Sequence, residues 1–232
     1  MVNWIAFDAD DTLWHNETLY HETQDRFIDL LAHYHSREWV EQVLYETEMR
    51  NLQHFGYGIK AFTLSMIETA IELTEGRIEG REIGQILGFG KEMLQAEVQV
   101  LEGVEETLQR LSGAYRLMLI TKGDLLDQEL KLTRSGLREY FPAVEVVSRK
   151  DRESYAAILE RRGIRPEEFL MVGNSLPSDI LPVIELGGQA VYIPYALTWA
   201  HEQTEEPAPG ANGYYKLPEI RRLPELLAGL AG

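Results

Sequence analysis

Short apolar runs alternate with helix-like segments through the second half of this 232-residue chain. Leu117–Ile120, Phe169–Val172 and Ala190–Ile193 are apolar at every position or carry only a tyrosine. Runs that are apolar on both faces fit strands buried on both sides, and such strands build a parallel sheet covered by helices on each face. The pattern after Gly103 predicts a helix over Val104–Leu111, a strand over Arg116–Thr121, a helix over Leu125–Ser135 and a strand over Val144–Ser148. It continues with a helix over Arg152–Arg162, a strand over Phe169–Val172, a helix over Asp179–Leu186 and a strand over Ala190–Ile193. The opening run, Asn3–Asp8, supplies one more strand to the same sheet.

Residues 16–98 have a different texture. Tyr20, Phe27, Leu30, Leu31 and Tyr34 recur mostly at three- and four-residue steps, as one helix face requires. A second helix is expected over Arg37–Gln53, with Trp39, Val40, Val43 and Leu44 on its apolar side. Phe55-Gly56-Tyr57-Gly58 breaks the pattern. A third helix runs through Phe62, Met66, Ile67, Ala70 and Ile71, and a fourth through Ile83, Ile86, Leu87 and Leu94 after Gly76 and Gly80. The expected architecture is therefore α/β: a Rossmann-like, doubly wound parallel-sheet core over 1–15 and 99–232, with an inserted all-helical cap over 16–98. Hinges are expected near Trp14–Thr18 and Val98–Gly103.

The formal net charge of −16 repels nucleic-acid backbones and anionic membranes, which argues against a nucleic-acid polymer or a membrane as partner. A local cationic pocket can still take a small anion, because salt screens the distant field. With no cysteine, disulfides, thiolate nucleophiles and Cys-ligated zinc are excluded. The start of the chain lacks a signal-peptide pattern, no apolar stretch is long enough to span a bilayer, and a cytoplasmic location is expected.

Ligands of open α/β sheets bind beyond the carboxyl ends of the strands. Here the first strand ends in Asp8-Ala9-Asp10-Asp11-Thr12 and the second in Thr121-Lys122-Gly123-Asp124. Lys150 follows the third, and Gly173-Asn174-Ser175 with Asp179 follows the fourth. These groups suit phosphoryl transfer. One carboxylate can attack phosphorus, while a second protonates the leaving alcohol and later deprotonates water. A hard cation such as Mg²⁺ is held by several oxygens. Amines and hydroxyls bind phosphate oxygens, and glycine lets backbone N–H groups approach the anion.

In the order and spacing of these four segments the whole chain resembles the haloacid dehalogenase superfamily, and most closely its phosphatases with a helical cap inserted after the first motif. The resemblance implies Asp8 as nucleophile and Asp10 as general acid/base. It implies Mg²⁺ held by the Asp8 carboxylate, the Asp10 carbonyl, Asn174 and Asp179. Thr121 and Lys150 would bind the phosphoryl group, with Lys122 beside them. Dehalogenases do not keep an aspartate at the Asp10 position, because halide displacement has no alkoxide to protonate. Asp11 stands where the family most often has glycine, and is read as structural. Asn174 stands where many members have aspartate, which shifts the expected charge balance of the metal onto Asp179.

Plainer readings compete. Asp8 and Asp10 alone also fit a strand-end turn, Thr121 a helix cap, and Asp179 a first-turn acid that complements a helix dipole. Arg149–Arg152 is a charge run of the kind that usually forms solvated surface. Ser175 and Ser178 read as caps. Trp14, His15 and Asn16, the break at His54–Lys60, and Trp199-Ala200-His201 are candidates for the rim of the site. The expected activity is Mg²⁺-dependent hydrolysis of a small phosphorylated metabolite through an aspartyl phosphate, with the cap choosing the substrate. Alternatives are a phosphomutase, a C–X hydrolase such as a dehalogenase, or a non-enzymatic binding protein on the same scaffold. Oligomeric state is not legible.

Overall fold

The computed structural model describes residues 2–196, 204, 206–208 and 213–230. Trp199-Ala200-His201 lies outside the described residues. The chain divides into two compact units. The first comprises Met1–Glu17, Val98–Lys122 and Gln128–Gly232, and the second Thr18–Glu97 with Gly123–Asp127.

The first unit is built on a six-stranded sheet in the order β3-β2-β1-β4-β5-β6, every pair parallel. The strands are β1 (Trp4–Phe7), β2 (Arg116–Lys122), β3 (Ala143–Val147), β4 (Phe169–Gly173), β5 (Gln189–Tyr192) and β6 (Tyr214–Lys216). Their side chains alternate between two cores. Ile5, Phe7, Leu117, Leu119, Leu170 and Val172 pack on one side with Leu108 and Leu111 of α5 (Val104–Ser112), Leu132 of α6 (Leu125–Arg134) and Leu223 and Leu227 of α9 (Leu223–Leu230). Ala6, Met118, Ile120, Phe169 and Met171 pack on the other with Tyr155, Ile158 and Leu159 of α7 (Arg152–Arg162) and Val183 of α8 (Leu181–Glu185). The period of two in the pleat puts neighbouring apolar residues on opposite faces, so a run without polar positions is what a doubly covered strand needs. The chain leaves β1 for β2 on one side and later returns to β4 on the other. The crevice at that reversal of strand order, beyond the carboxyl ends of β1 and β4, is where ligands of such sheets bind.

The second unit holds α1 (Glu17–Leu31), α2 (Arg37–Phe55), α3 (Ile59–Leu73) and α4 (Gly80–Gln95) around Phe27, Leu31, Val40, Leu44, Phe62, Met66 and Ile86. Gly56 and Gly58 both have positive φ at the α2–α3 turn, a conformation that glycine adopts without steric cost.

Two parts of the sheet unit differ from expectation. The helix expected over Asp179–Leu186 begins earlier, as a wide π-helical turn at Leu176–Ile180, before α8. Pro182 has no N–H to give the Ser178 carbonyl, which accepts the Tyr155 hydroxyl at 3.1 Å instead. β6 and α9 were not anticipated, since the three-residue strand carries too little pattern to read. Among the described residues no helix is long and apolar enough to cross a membrane.

Gly173 closes β4 where the Asp179 side chain packs against its backbone, and a Cβ there would run into the Asp179 carboxylate. Gly173→Ala is expected to cost about 1–3 kcal/mol, read as a Tm several degrees lower in a thermal melt.

Candidate active site

Three buried charges meet at the carboxyl ends of the strands. The Lys150 ammonium, its side chain 1% exposed, donates to Asp8 Oδ1 and, at 2.7 Å, to Asp179 Oδ1. Burial opposes the lysine's charge, but the two carboxylates outweigh it and push its pKa up to about 12. Burial also pushes the Asp8 carboxyl up, against the pull of Lys150, and the charge of Asp179 adds to the rise. Asp179 Oδ2 accepts the Ser175 N–H at 3.1 Å. Within the charge run, Lys150 is buried while Arg149 and Arg152 are exposed, and Asp151 caps α7 by accepting the Ser154 N–H at 2.9 Å.

Asp10 lies in a different field. Its Oδ1 accepts the Trp14 indole N–H at 2.7 Å and lies 2.6 Å from Lys131 Nζ. Its Oδ2 accepts from Gln128 Nε2 at 2.8 Å. Burial works to raise the Asp10 carboxyl, but Lys131, Gln128 and Trp14 together hold it below the usual carboxylate range. Two carboxyls two residues apart are thus driven in opposite directions by their surroundings.

Asn174 completes the floor. The amide atom it turns inward lies 3.2 Å from Asp8 Oδ2, 3.3 Å from the Asp10 carbonyl and 3.2 Å from the Thr12 hydroxyl. Thr12 also donates to Asp8 Oδ2 at 3.1 Å. With nitrogen inward, the amide donates to these oxygens. With oxygen inward, a carboxylate, a carbonyl, an amide oxygen and a hydroxyl converge, and which atom points in is an assignment of hydrogen bonding. Among the described residues no cluster of three His, Cys, Asp or Glu side chains suits a metal. A cation here would therefore be held by mixed oxygen donors. That donor set fits a small hard cation such as Mg²⁺, which accepts few carboxylates together with carbonyls.

Thr121 is buried at the end of β2, where its hydroxyl donates to the Lys122 carbonyl at 3.3 Å. The start of α6 is capped instead by Asp124, which accepts the Asp127 N–H at 3.1 Å. Lys122 Nζ donates to Ser178 Oγ at 3.0 Å, and Ser175 Oγ accepts the Ser178 N–H at 3.3 Å. Trp14 is wholly buried, and His15 Nδ1 pairs with the Tyr195 hydroxyl at 2.5 Å. Within the helical unit, Lys60 at the end of the 54–60 break pairs with Asp124 at 2.9 Å.

Thr12, Gln128 and Lys131 escaped the reading of the sequence. Their signal is faint: Gln128 and Lys131 stand three apart on the helix that follows Thr121-Lys122-Gly123, one turn sharing a face with buried Leu132. Asp11 has φ 61° and accepts the backbone N–H groups of Asn16 at 2.9 Å and Glu17 at 3.1 Å. It ties down the start of α1 and touches none of the other site carboxylates by hydrogen bond, which fits a structural role.

The chain matches the haloacid dehalogenase-like hydrolase family over residues 2–187. It is 24% identical to N-acylneuraminate-9-phosphatase of Rattus norvegicus, over 99% of this chain and 95% of that protein. It is 25% identical to pyrimidine 5'-nucleotidase YjjG of Escherichia coli, over 97% of each. Among solved structures it resembles a haloacid dehalogenase-like family hydrolase from Xanthomonas campestris, with TM-score 0.89 and 42% identity over 99% of this chain and 91% of that one. A 2-haloacid dehalogenase from Pseudomonas syringae shares the fold, with TM-score 0.67 and 20% identity over 99% of this chain and 100% of that one.

Burial pushes the Asp11 carboxyl up to about 6, against the opposing backbone hydrogen bonds. A carboxyl raised in the folded state lends stability below its unfolded value of 3.8 and loses it as pH rises through about 6. Asn tolerates positive φ and keeps an acceptor for both N–H groups. In thermal melts with EDTA, Asp11→Asn should match wild type near pH 4 and exceed its Tm increasingly towards pH 7.

Proposed function

The chain belongs to the haloacid dehalogenase-like hydrolases, and on that premise we propose that it hydrolyses a phosphomonoester of a small metabolite, with Mg²⁺, through an aspartyl phosphate on Asp8. The observation that carries this reading is Asp10, a carboxyl held by three donors two residues beyond Asp8. Hydrolysis of a phosphate ester needs an acid at the leaving oxygen. Displacement of a halide does not.

In the proposed reaction an Asp8 oxygen forms a bond to phosphorus as the ester P–O bond breaks, and Asp10 gives its proton to the leaving alcohol. Asp10, now a carboxylate, then takes a proton from water as the water oxygen attacks phosphorus. The P–O bond to Asp8 breaks, and phosphate leaves. Lys150 supplies the positive charge that keeps two carboxylates tolerable beside an anionic substrate. Thr121 and Lys122 are assigned to the phosphoryl oxygens by their place at the end of β2. Mg²⁺ would be held by Asp8, the Asp10 carbonyl, Asn174 and Asp179, and when bound supplies charge neutralisation at the transferred phosphoryl group. Choice of substrate is assigned to the inserted helices.

The test is a phosphate-release screen over phosphorylated metabolites with Mg²⁺ and with EDTA, using Asp8→Asn as the blank. N-acylneuraminate 9-phosphate and pyrimidine 5'-nucleotides belong on the panel, as the named specificities of two similar proteins. Release that depends on both Mg²⁺ and Asp8 is expected, and its absence across the panel would refute the reading. Asp179 carries the full negative charge that Asn174 lacks, so calorimetric titration should show a larger loss of Mg²⁺ affinity in Asp179→Ala than in Asn174→Ala. Equal losses would sink this division of roles.

A further inference from the structure

Helix α6 buries Leu132 in the core but otherwise turns polar groups inward and leucines out. Gln128 and Asp127 are buried and Lys131 is mostly so, while Leu125 and Leu126 are each 58% exposed and Leu130 40% exposed. Among the described residues, Gln128 also leaves its buried Oε1 with no hydrogen-bond partner. A purely structural helix would bury the leucines and turn the polar groups to solvent. Of that inward polar face, Gln128 and Lys131 reach Asp10.

Each of its donors is fixed at a second point. Lys131 Nζ donates to Asn16 Oδ1 at 2.9 Å as well as pairing with Asp10, and Gln128 Nε2 donates to the Lys122 carbonyl at 2.8 Å as well as to Asp10. Trp14 is locked in the core. Asp10 has two rotatable side-chain bonds, and three anchored donors on its two oxygens determine both. Oδ1 takes two donors, Trp14 and Lys131, which fills its two lone pairs. Oδ2 takes one, from Gln128, and keeps a lone pair for a proton.

We propose that Lys131 and Gln128, with Trp14, are positioning residues that orient Asp10 so that Oδ2 carries the proton delivered to the leaving oxygen. They act through Asp10 and need not touch the substrate. This rests on the phosphatase reading above. General-acid transfer requires the heavy atoms within hydrogen-bond reach, and small misplacements are costly: about 1 Å can reduce rate about 10²-fold. As the ester bond breaks, the proton moves from Oδ2 to the alkoxide oxygen, and the carboxylate that remains is received by the same three donors.

The test compares kcat/KM for phenyl phosphate, whose leaving group needs protonation, with p-nitrophenyl phosphate, whose leaving group needs little. kcat/KM reports phosphorylation of the enzyme and not the later hydrolysis step that the two esters share. Lys131→Met is expected to lose at least about tenfold more on phenyl phosphate than on p-nitrophenyl phosphate, within the 10²–10⁴-fold range of general-acid catalysis. Asp10→Asn should show the same discrimination, and adding Lys131→Met to it should not increase the discrimination. Equal losses on the two esters would overturn the positioning role while leaving the phosphatase reading intact. A wild-type protein that releases phosphate with Mg²⁺ neither from these esters nor from any metabolite on the panel would overturn both. If Lys131→Met does not fold by circular dichroism, Gln128→Leu carries the same comparison with the same outcomes.

Discussion

The Lys150 ammonium shared between Asp8 and Asp179 is the contact on which the rest of the site depends. Two carboxylates at this depth cannot both stay ionised without a compensating charge. One buried lysine offsets part of their repulsion and leaves a net negative site. A region with that balance has capacity for a further cation, and the oxygens of Asp8, Asp10 and Asn174 face one another there. The arrangement also explains Gly173. The Asp179 carboxylate has to lie against the β4 backbone to reach both Lys150 and the Ser175 N–H, and only a residue without a side chain leaves that space.

Asp8 and Asp10 occupy one short turn and live in opposite fields. Asp8 lies where burial dominates and rises. Asp10 is surrounded by Trp14, Gln128 and Lys131 and falls. Their contrasting environments thus come from neighbours far away in the chain, since Lys150 is 142 residues from Asp8 and Gln128 is 118 from Asp10. Asp11 stands apart. It accepts positive φ in exchange for holding the first turn of α1.

Much of this was legible from local pattern. The doubly apolar runs at Leu117–Ile120 and Phe169–Val172 predicted buried parallel strands, and the sheet contains them. The helices of residues 16–98 followed from three- and four-residue spacing, and the breaks at Gly56 and Gly58 are real turns. The wide turn at Leu176–Ile180 was not legible, and the contact made there by the Ser178 carbonyl comes from Tyr155, 23 residues earlier in the chain. Nor were β6 and α9, which lack a long periodic signal. In the charge run at Arg149–Arg152, nothing local distinguishes the residue that turns inward from those that stay in water.

The sequence by itself determined the layered α/β class, the strand ends at which acids, amines and hydroxyls appear, and the helical character of the insertion. These rest on periodicity and turn chemistry, which act over a few residues. Only the tertiary structure decided that Lys150 is buried between two carboxylates, that α6 turns Gln128 and Lys131 inward while Leu125, Leu126 and Leu130 face water, and that Asp8 and Asp10 are driven apart. The reason is physical. Burial and charge–charge coupling are properties of a three-dimensional neighbourhood, and in this fold that neighbourhood is assembled from four strand ends and one helix face.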